Sequence, residues 1–82
     1  MDNIEVKIRK IIDKNLGEDL YKNIDEISKD ENLFNIGLDS LNIVKLIMAV
    51  EEECGITFKD EEIASVNWKN IDSIENLIKS RR

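Results

Sequence analysis

The sequence predicts an all-α fold, a small four-helix bundle of three longer helices and one short helix, in a single domain spanning residues 1–82. A length of 82 residues corresponds to one domain. Apolar residues recur at helical spacing, and no segment alternates in the way that a half-buried strand does. Proline is absent and glycine occurs only three times, so few residues interrupt helices.

The first helix is predicted at residues 3–15, with Gly17 as its stop. Its apolar residues recur every three or four positions and continue just past its end: Ile4, Ile8, Ile11, Ile12 and Leu16. Charged residues fill the positions between them, which is typical of an amphipathic helix with one face on the core.

Residues 18–39 show no sustained period and are interpreted as a long connection between the first two helices. Isolated apolar residues are expected to pin it to the core: Leu20, Tyr21, Ile24, Ile27, Leu33, Phe34 and Ile36. Such anchors are needed because long structureless loops are uncommon inside small domains. A short helical turn is expected near residues 31–35.

The second helix is predicted at residues 40–54, with Gly55 as its stop. One arc of its helical wheel is the predicted core face: Ile43, Leu46, Ile47, Val50 and Cys54. The opposite arc is predicted to face water: Asn42, Lys45, Ala49, Glu52 and Glu53.

Three residues of the second helix, Leu41, Val44 and Met48, fall in neither arc and form a second apolar strip beside Ser40. An extra apolar strip on a small acidic domain indicates an interaction surface, unless the long connection packs over it. The sequence leaves both interpretations open.

The remaining chain is predicted to hold a short helix and a last amphipathic helix. Ile56 and Phe58 are expected to fill the core, and Asp60 is expected to cap a short third helix over residues 60–65. Val66 and Trp68 are placed in a loop. The last helix is predicted at residues 70–80 from four apolar residues: Ile71, Ile74, Leu77 and Ile78.

The formal net charge is −6, and the acidic residues concentrate in residues 18–39 and 51–62. An acidic surface repels phosphate backbones, so we expect no nucleic-acid partner. It would favour a basic patch on another protein, although the acids could also serve only solubility.

The single cysteine, Cys54, excludes an internal disulfide and fits a reducing compartment. Its place on the predicted core face favours a packing role over a reactive thiol. The longest apolar run, residues 46–50, is too short to span a membrane, and no signal peptide is visible. We therefore expect a cytoplasmic protein.

Catalytic and metal-binding patterns argue against an enzyme. A serine nucleophile at Ser40 would need a base, but the chain has no histidine and Lys45 should lie on another face. One cysteine cannot form a zinc site. Residues 13–24 resemble the start of a calcium loop, but Gly17 falls one position early and Ile24 stands where glutamate is required.

Ser40 follows a turn at Gly37 and stands at the predicted helix start, where free N–H groups and the helix dipole favour a phosphate. A phosphate ester on this residue would be exposed and beside an apolar strip. An ordinary helix cap also explains a serine here, and because capping serines are common the residues alone favour the cap.

Residues 33–62, LFNIGLDSLNIVKLIMAVEEECGITFKDEE, resemble the phosphopantetheine attachment region of acyl and peptidyl carrier proteins. The matching core is Gly-Leu-Asp-Ser-Leu at residues 37–41, followed by an apolar helix that ends in three glutamates at residues 51–53. The order of helices and the long connection match the family over nearly the whole chain.

The resemblance implies that Ser40 receives 4′-phosphopantetheine from coenzyme A through a separate phosphopantetheinyl transferase. The thiol of that group would hold an acyl or aminoacyl cargo as a thioester. Asp39 would lie beside the phosphate and take part in transferase recognition. The resemblance also assigns partner-binding positions, which are Leu41, Val44 and Met48 with Asn42 and Lys45 beside them. A monomer with no catalytic activity of its own is expected.

Two departures from the family concern the pathway. Members that serve fatty acid synthesis usually carry acids at the positions of Asn42 and Lys45, and here one is neutral and the other positive. We therefore expect a specialised carrier in a polyketide, nonribosomal or ligase-loaded pathway, served by an acyl- or aminoacyl-loading ligase and by downstream synthase or transferase enzymes. Met1 and the lack of linkers favour a stand-alone protein. The alternatives are a carrier for primary fatty acid synthesis, a D-alanyl carrier and, more remotely, an unmodified helical adaptor.

Overall fold

The structure is a computed structural model that describes residues 3–81, in which three α-helices surround one core. The helices are α1 (Ile4–Leu16), α2 (Asn42–Cys54) and α3 (Ile71–Ser80). Four 3₁₀ helices lie in the connections: Ile24–Glu26, Leu33–Ile36, Asp60–Glu62 and Ser65–Trp68. The described residues contain no strand, and the all-α fold is confirmed.

The helix α1 contacts both other α-helices. The side chain of Asn3 caps it by accepting from the Val6 N–H at 3.2 Å. Its predicted apolar stripe is buried from Ile8 to Leu16. Burial of this stripe holds α2 and α3 against a common face, because each helix must remove its own apolar side from water.

The long connection is pinned to the core, as predicted, but partly through its backbone. The guanidinium of Arg9 donates from Nη1 to the carbonyls of Ile24 (2.7 Å) and Ile27 (2.8 Å), whose side chains are buried. Tyr21, expected as an apolar anchor, is 81% exposed. Its N–H instead donates to the Ile36 carbonyl at 2.7 Å, so a backbone bond holds this part of the chain.

The predicted short third helix corresponds to the two 3₁₀ helices that follow residue 59, and not to an α-helix over residues 60–65. The chain bends between them, and this lets Trp68, expected in a loop, reach full burial. The Trp68 indole donates to the Glu62 carbonyl at 2.9 Å and meets Phe58 edge-on, with ring centroids 5.2 Å apart. Burial of this large ring requires the indole N–H to find such an acceptor.

The helix α3 agrees with its predicted range within a residue. Asn70 caps it by accepting from the Ser73 N–H at 2.7 Å, and Ile71, Ile74 and Ile78 are buried. The long connection is tied to this helix because the Asp72 N–H donates to the Lys29 carbonyl at 2.9 Å. None of the helices in residues 3–81 combines the length and apolar character needed to cross a bilayer.

Candidate functional site

A tight turn at Gly37 and Leu38 leads into α2. Gly37 has a φ of +124°, which side-chain-bearing residues rarely adopt. Leu38 is buried, and its N–H donates to the Leu33 carbonyl at 3.0 Å. The buried Leu38 therefore anchors the turn to the core, and the next two residues, Asp39 and Ser40, are exposed.

Asp39 is the residue that caps the start of α2. Its Oδ1 accepts from the N–H groups of Leu41 and Asn42, both at 2.9 Å. Its carbonyl accepts the Ile43 N–H at 2.9 Å, so helical hydrogen bonding begins at this residue. The capping role that the sequence allowed for Ser40 therefore belongs to its neighbour.

Ser40 is exposed in the turn immediately before α2, one residue after Asp39. The Asp39 carboxylate occupies two of the N–H groups that were expected to favour a phosphate there. A phosphate on Ser40 would therefore extend into solvent and not bind to the helix terminus.

Asn42 differs most from its prediction. It was predicted to face water, and that placement is wrong because only 7% of it is exposed. Its partner-binding role stays a prediction. Its side chain turns back to accept from the Asp39 N–H at 2.6 Å and to donate to the Gly37 carbonyl at 3.0 Å. The spacing of two polar residues three apart, Asp39 and Asn42, is the capping signal that could have revealed this role.

The other polar and core positions of α2 follow the wheel with small differences. Leu46, Ile47 and Val50 are buried as predicted. Ile43 and Cys54, expected on the core face, are half-buried at its edge. Ala49 was assigned to water but is also half-buried and packs against the core.

The apolar strip of Leu41, Val44 and Met48 is exposed beside Ser40. The exposed fractions are 82% for Leu41, 52% for Val44 and 61% for Met48. The long connection does not pack over the strip, so that alternative is excluded for these side chains. Three neighbouring apolar side chains held in water are unusual on a small domain and are typical of a docking surface.

The side chains around Ser40 provide no activated nucleophile. The carboxylate of Asp39 is engaged by two N–H groups, and the chain has no histidine. Lys45 is exposed, and its Nζ lies 3.9 Å from Oδ2 of Asp19. No group of His, Cys, Asp and Glu residues between positions 3 and 81 is placed to hold a metal ion. An accessible hydroxyl with no base suits modification by another protein better than hydrolysis.

Comparison with known proteins decides the family. A profile of the PP-binding family, described as the phosphopantetheine attachment site, matches residues 7–78. The chain belongs to this family. Family members are carriers and not catalysts, and their cofactor is covalently bound 4′-phosphopantetheine. The exposed hydroxyl of Ser40, left free by the Asp39 cap, fits the attachment of such a group.

Relatives of similar length support this membership of the PP-binding family. An acyl carrier protein of Rickettsia bellii (strain RML369-C) is 37% identical over 83 residues, covering 100% of this chain and 90% of the relative. An acyl carrier protein of Buchnera aphidicola subsp. Schizaphis graminum (strain Sg) is 44% identical over 78 residues, covering 93% of this chain and 95% of the relative.

A solved structure of another carrier has the same fold as this PP-binding chain. It is the carrier protein from Agrobacterium tumefaciens, bound with ATP to an engineered glycine:[carrier protein] ligase of Bradyrhizobium japonicum. The TM-score is 0.88 at 28% identity, covering 95% of this chain and 99% of the other. The agreement therefore extends over nearly the full length of both chains.

Proposed function

We propose that the chain is a single-domain acyl carrier in which Ser40 is the attachment residue for 4′-phosphopantetheine. The observation that carries this proposal is the exposed Ser40 in the turn immediately before α2, with the capping role taken by Asp39. When bound, the cofactor supplies a thiol that holds the cargo as a thioester. The chain itself presents the hydroxyl, and activation comes from a separate phosphopantetheinyl transferase because residues 3–81 place no free base beside Ser40.

For the pathway, the relatives favour fatty acyl cargo over the specialised pathway expected from the charges of α2. Acyl carrier proteins match nearly the full chain at 37% and 44% identity. The specialised pathway was inferred from Asn42 and Lys45. Asn42 is buried and cannot present its lack of charge to a partner, so only Lys45 still departs from the pattern of fatty acid synthesis.

An aminoacyl carrier loaded by a dedicated ligase is the second candidate. Two observations favour it: the close match to a carrier that forms a complex with a glycine ligase, and the positive charge of Lys45 on the exposed face of α2. A D-alanyl carrier belongs to this same class.

Partner enzymes are proposed to dock on the apolar strip of Leu41, Val44 and Met48. Lys45 lies on the exposed face of the same helix, where its charge would select among partners. Asp39 would contribute to transferase recognition by fixing the direction of Ser40 as well as by its own charge. The proposed partners are the transferase, a loading ligase or acyltransferase, and a downstream synthase, acting on a monomer in the cytoplasm.

The attachment is tested by intact-protein mass spectrometry. The apo protein is incubated with coenzyme A and a broad-specificity phosphopantetheinyl transferase. The wild-type chain should gain one phosphopantetheine unit, Ser40→Ala should gain none, and Ser28→Ala, which alters an exposed serine of the long connection, should gain one. An unchanged wild-type mass with several transferases would contradict the proposal and favour the unmodified adaptor.

The pathway is tested by offering the holo protein to two classes of loading enzyme. An acyltransferase of fatty acid synthesis and a panel of aminoacyl ligases are compared by the kcat/KM for thioester formation. Faster loading by the acyltransferase supports the first candidate. Faster loading by a ligase supports the second candidate.

A further inference from the structure

The side chain of Asn42 joins the start of α2 to the turn that precedes Ser40. Its Oδ1 accepts from the Asp39 N–H at 2.6 Å, and its Nδ2 donates to the Gly37 carbonyl at 3.0 Å. The Asp39 carboxylate accepts the Asn42 N–H in return at 2.9 Å. Each side chain thus binds the backbone of the other residue, as in a capping box.

We propose that Asn42 is the positioning residue for Ser40 and acts through Asp39. The proposal rests on Ser40 being the attachment residue. Ser40 lies between Asp39 and Asn42, the two residues of the capping box. Hydrogen bonds on both sides of Ser40 therefore fix the orientation of its backbone. The decisive contact is the one in which the Asn42 side-chain oxygen accepts the Asp39 N–H, because without it the cap is held from one side only.

Burial makes this contact difficult to replace. Asn42 is 7% exposed, so water cannot readily take over the bond to the Asp39 N–H when the side chain is changed. Loss of the acceptor should let the turn at Gly37 shift relative to α2. A displacement of about 1 Å at a reacting atom can reduce a rate by as much as a hundredfold.

Two other roles for Asn42 give opposite expectations. If Asn42 only fills space in the core, leucine should replace it well, and a carboxylate should be harmful at this buried position. If Asn42 contacts the transferase directly, its loss should raise KM. If Asn42 positions Ser40, loss of the side-chain acceptor at residue 42 should lower kcat. KM should stay unchanged, because the apolar strip proposed to bind the transferase is not altered.

The test compares Asn42→Asp, which keeps an acceptor, with Asn42→Leu, which has a similar volume and no acceptor. For transferase modification, we expect Asn42→Leu to lower kcat about tenfold or more with KM within about twofold of wild type. Asn42→Asp should retain a higher kcat than Asn42→Leu, since aspartate can also accept the Asp39 N–H, although it loses the Nδ2 donor to the Gly37 carbonyl. Asn42→Ala replaces Asn42→Leu if the leucine variant does not fold.

Asn15→Leu is the matched control. Asn15 is half-buried and, like Asn42, donates from its side chain to a backbone carbonyl, that of Ile11 at 2.8 Å, but it lies on α1. This control should keep the wild-type kcat. All variants are assayed at a temperature at which circular dichroism shows them folded. Wild-type kcat in Asn42→Leu, or an active Asn42→Leu beside an inactive Asn42→Asp, would overturn the proposal.

Amide hydrogen exchange on the apo protein gives a readout that does not depend on modification. The Asp39 N–H should exchange faster in Asn42→Leu and at about the wild-type rate in Asn42→Asp. Equal protection of this amide in both variants would overturn the positioning role. If the wild-type chain takes up no cofactor, the proposed function fails, and the exchange result still decides how Asn42 acts.

Discussion

The backbone of Asp19 lies against Gly37, in the space that a side chain at residue 37 would need. A Cβ on Gly37 would be 2.5 Å from the Asp19 carbonyl oxygen, and the φ of +124° is itself unfavourable for any residue with a side chain. The segment that follows α1 therefore packs directly on the turn before Ser40. The hydrogen bond from the Tyr21 N–H to the Ile36 carbonyl holds the same two segments together.

Gly37→Ala should lower the free energy of unfolding by on the order of 3 kcal/mol. The reason is the combination of backbone strain with a collision against main-chain atoms, which cannot move as a flexible side chain would. Urea denaturation followed by circular dichroism measures the loss.

Gly55→Ala is the control for the Gly37 variant. Gly55 has a φ of +66°, but nothing lies within 4 Å of a Cβ placed there. Its substitution should cost only about 1 kcal/mol, from backbone strain alone. Equal losses in the two variants would show that the contact with Asp19 does not matter.

The helices and the apolar strip could be predicted from the sequence because both depend on the period of the helix. Burial at the start of α2 could not be read from a helical wheel, which assigns each residue by its angle alone. At the first residue of a helix, a short polar side chain can turn back to the preceding turn, and Asn42 does so. The exposure of Tyr21 was missed because an apolar ring in a loop carries no period that shows its direction.

Arg9→Met should lower the free energy of unfolding by about 2 kcal/mol. The Arg9 guanidinium supplies hydrogen bonds to the Ile24 and Ile27 carbonyls and an ion pair to Glu5, with Nε and Oε2 3.0 Å apart. Methionine keeps the apolar contacts of the stem but removes the guanidinium donor from both carbonyls, and the Ile24 carbonyl then keeps only the Ile27 N–H at 3.4 Å. Urea denaturation gives the loss in stability.

Lys7→Met on the exposed face of α1 is the control for Arg9→Met, and it should change stability by less than about 0.5 kcal/mol. Hydrogen exchange of the segment around Ile24 to Ile27 should be faster in the Arg9 variant only. Unchanged exchange there would mean that the long connection is held by its apolar side chains without Arg9.

Glu75 on α3 should make the free energy of unfolding depend on pH in the acidic range. The hydrogen bond from Lys79, with the charges of Lys79 and Lys29, lowers the pKa of Glu75 below its ordinary value. A lowered folded-state pKa adds stability above the unfolded-state pKa of about 4.3, and this is lost as pH falls through the lowered value. Glu75→Gln should therefore be less stable than wild type at pH about 7, and the difference should shrink at pH about 3.

The exposed Glu26, changed to Gln, is the control for the Glu75 variant. Denaturation midpoints at the two pH values provide the comparison. A stability difference for Glu75→Gln that is as large in acid as at neutral pH would show that the effect is not electrostatic.

The apolar strip should affect docking and not folding. Val44→Ser and Met48→Ser should leave the free energy of unfolding within about 0.5 kcal/mol of wild type, since these side chains are mostly exposed. Each should raise the KM of the transferase several-fold because the apolar contact area with the enzyme is lost. Val6→Ser, at a 44% exposed position of α1, is the control and should leave KM unchanged. An equal rise in KM for Val6→Ser would place the docking surface elsewhere.

Lys45→Glu should speed loading by enzymes of fatty acid synthesis, whose carriers usually have an acid at this position. The exposed ion pair between Lys45 and Asp19 contributes at most about 1 kcal/mol, so folding should be nearly unaffected. Charge reversal should raise kcat/KM through faster association, and the gain should fall as salt is added because exposed charges are screened. Lys10→Glu makes the same change in net charge on the exposed face of α1 and should have little effect. Equal rates for wild type and Lys45→Glu at low salt would mean that the charge of α2 does not select the partner.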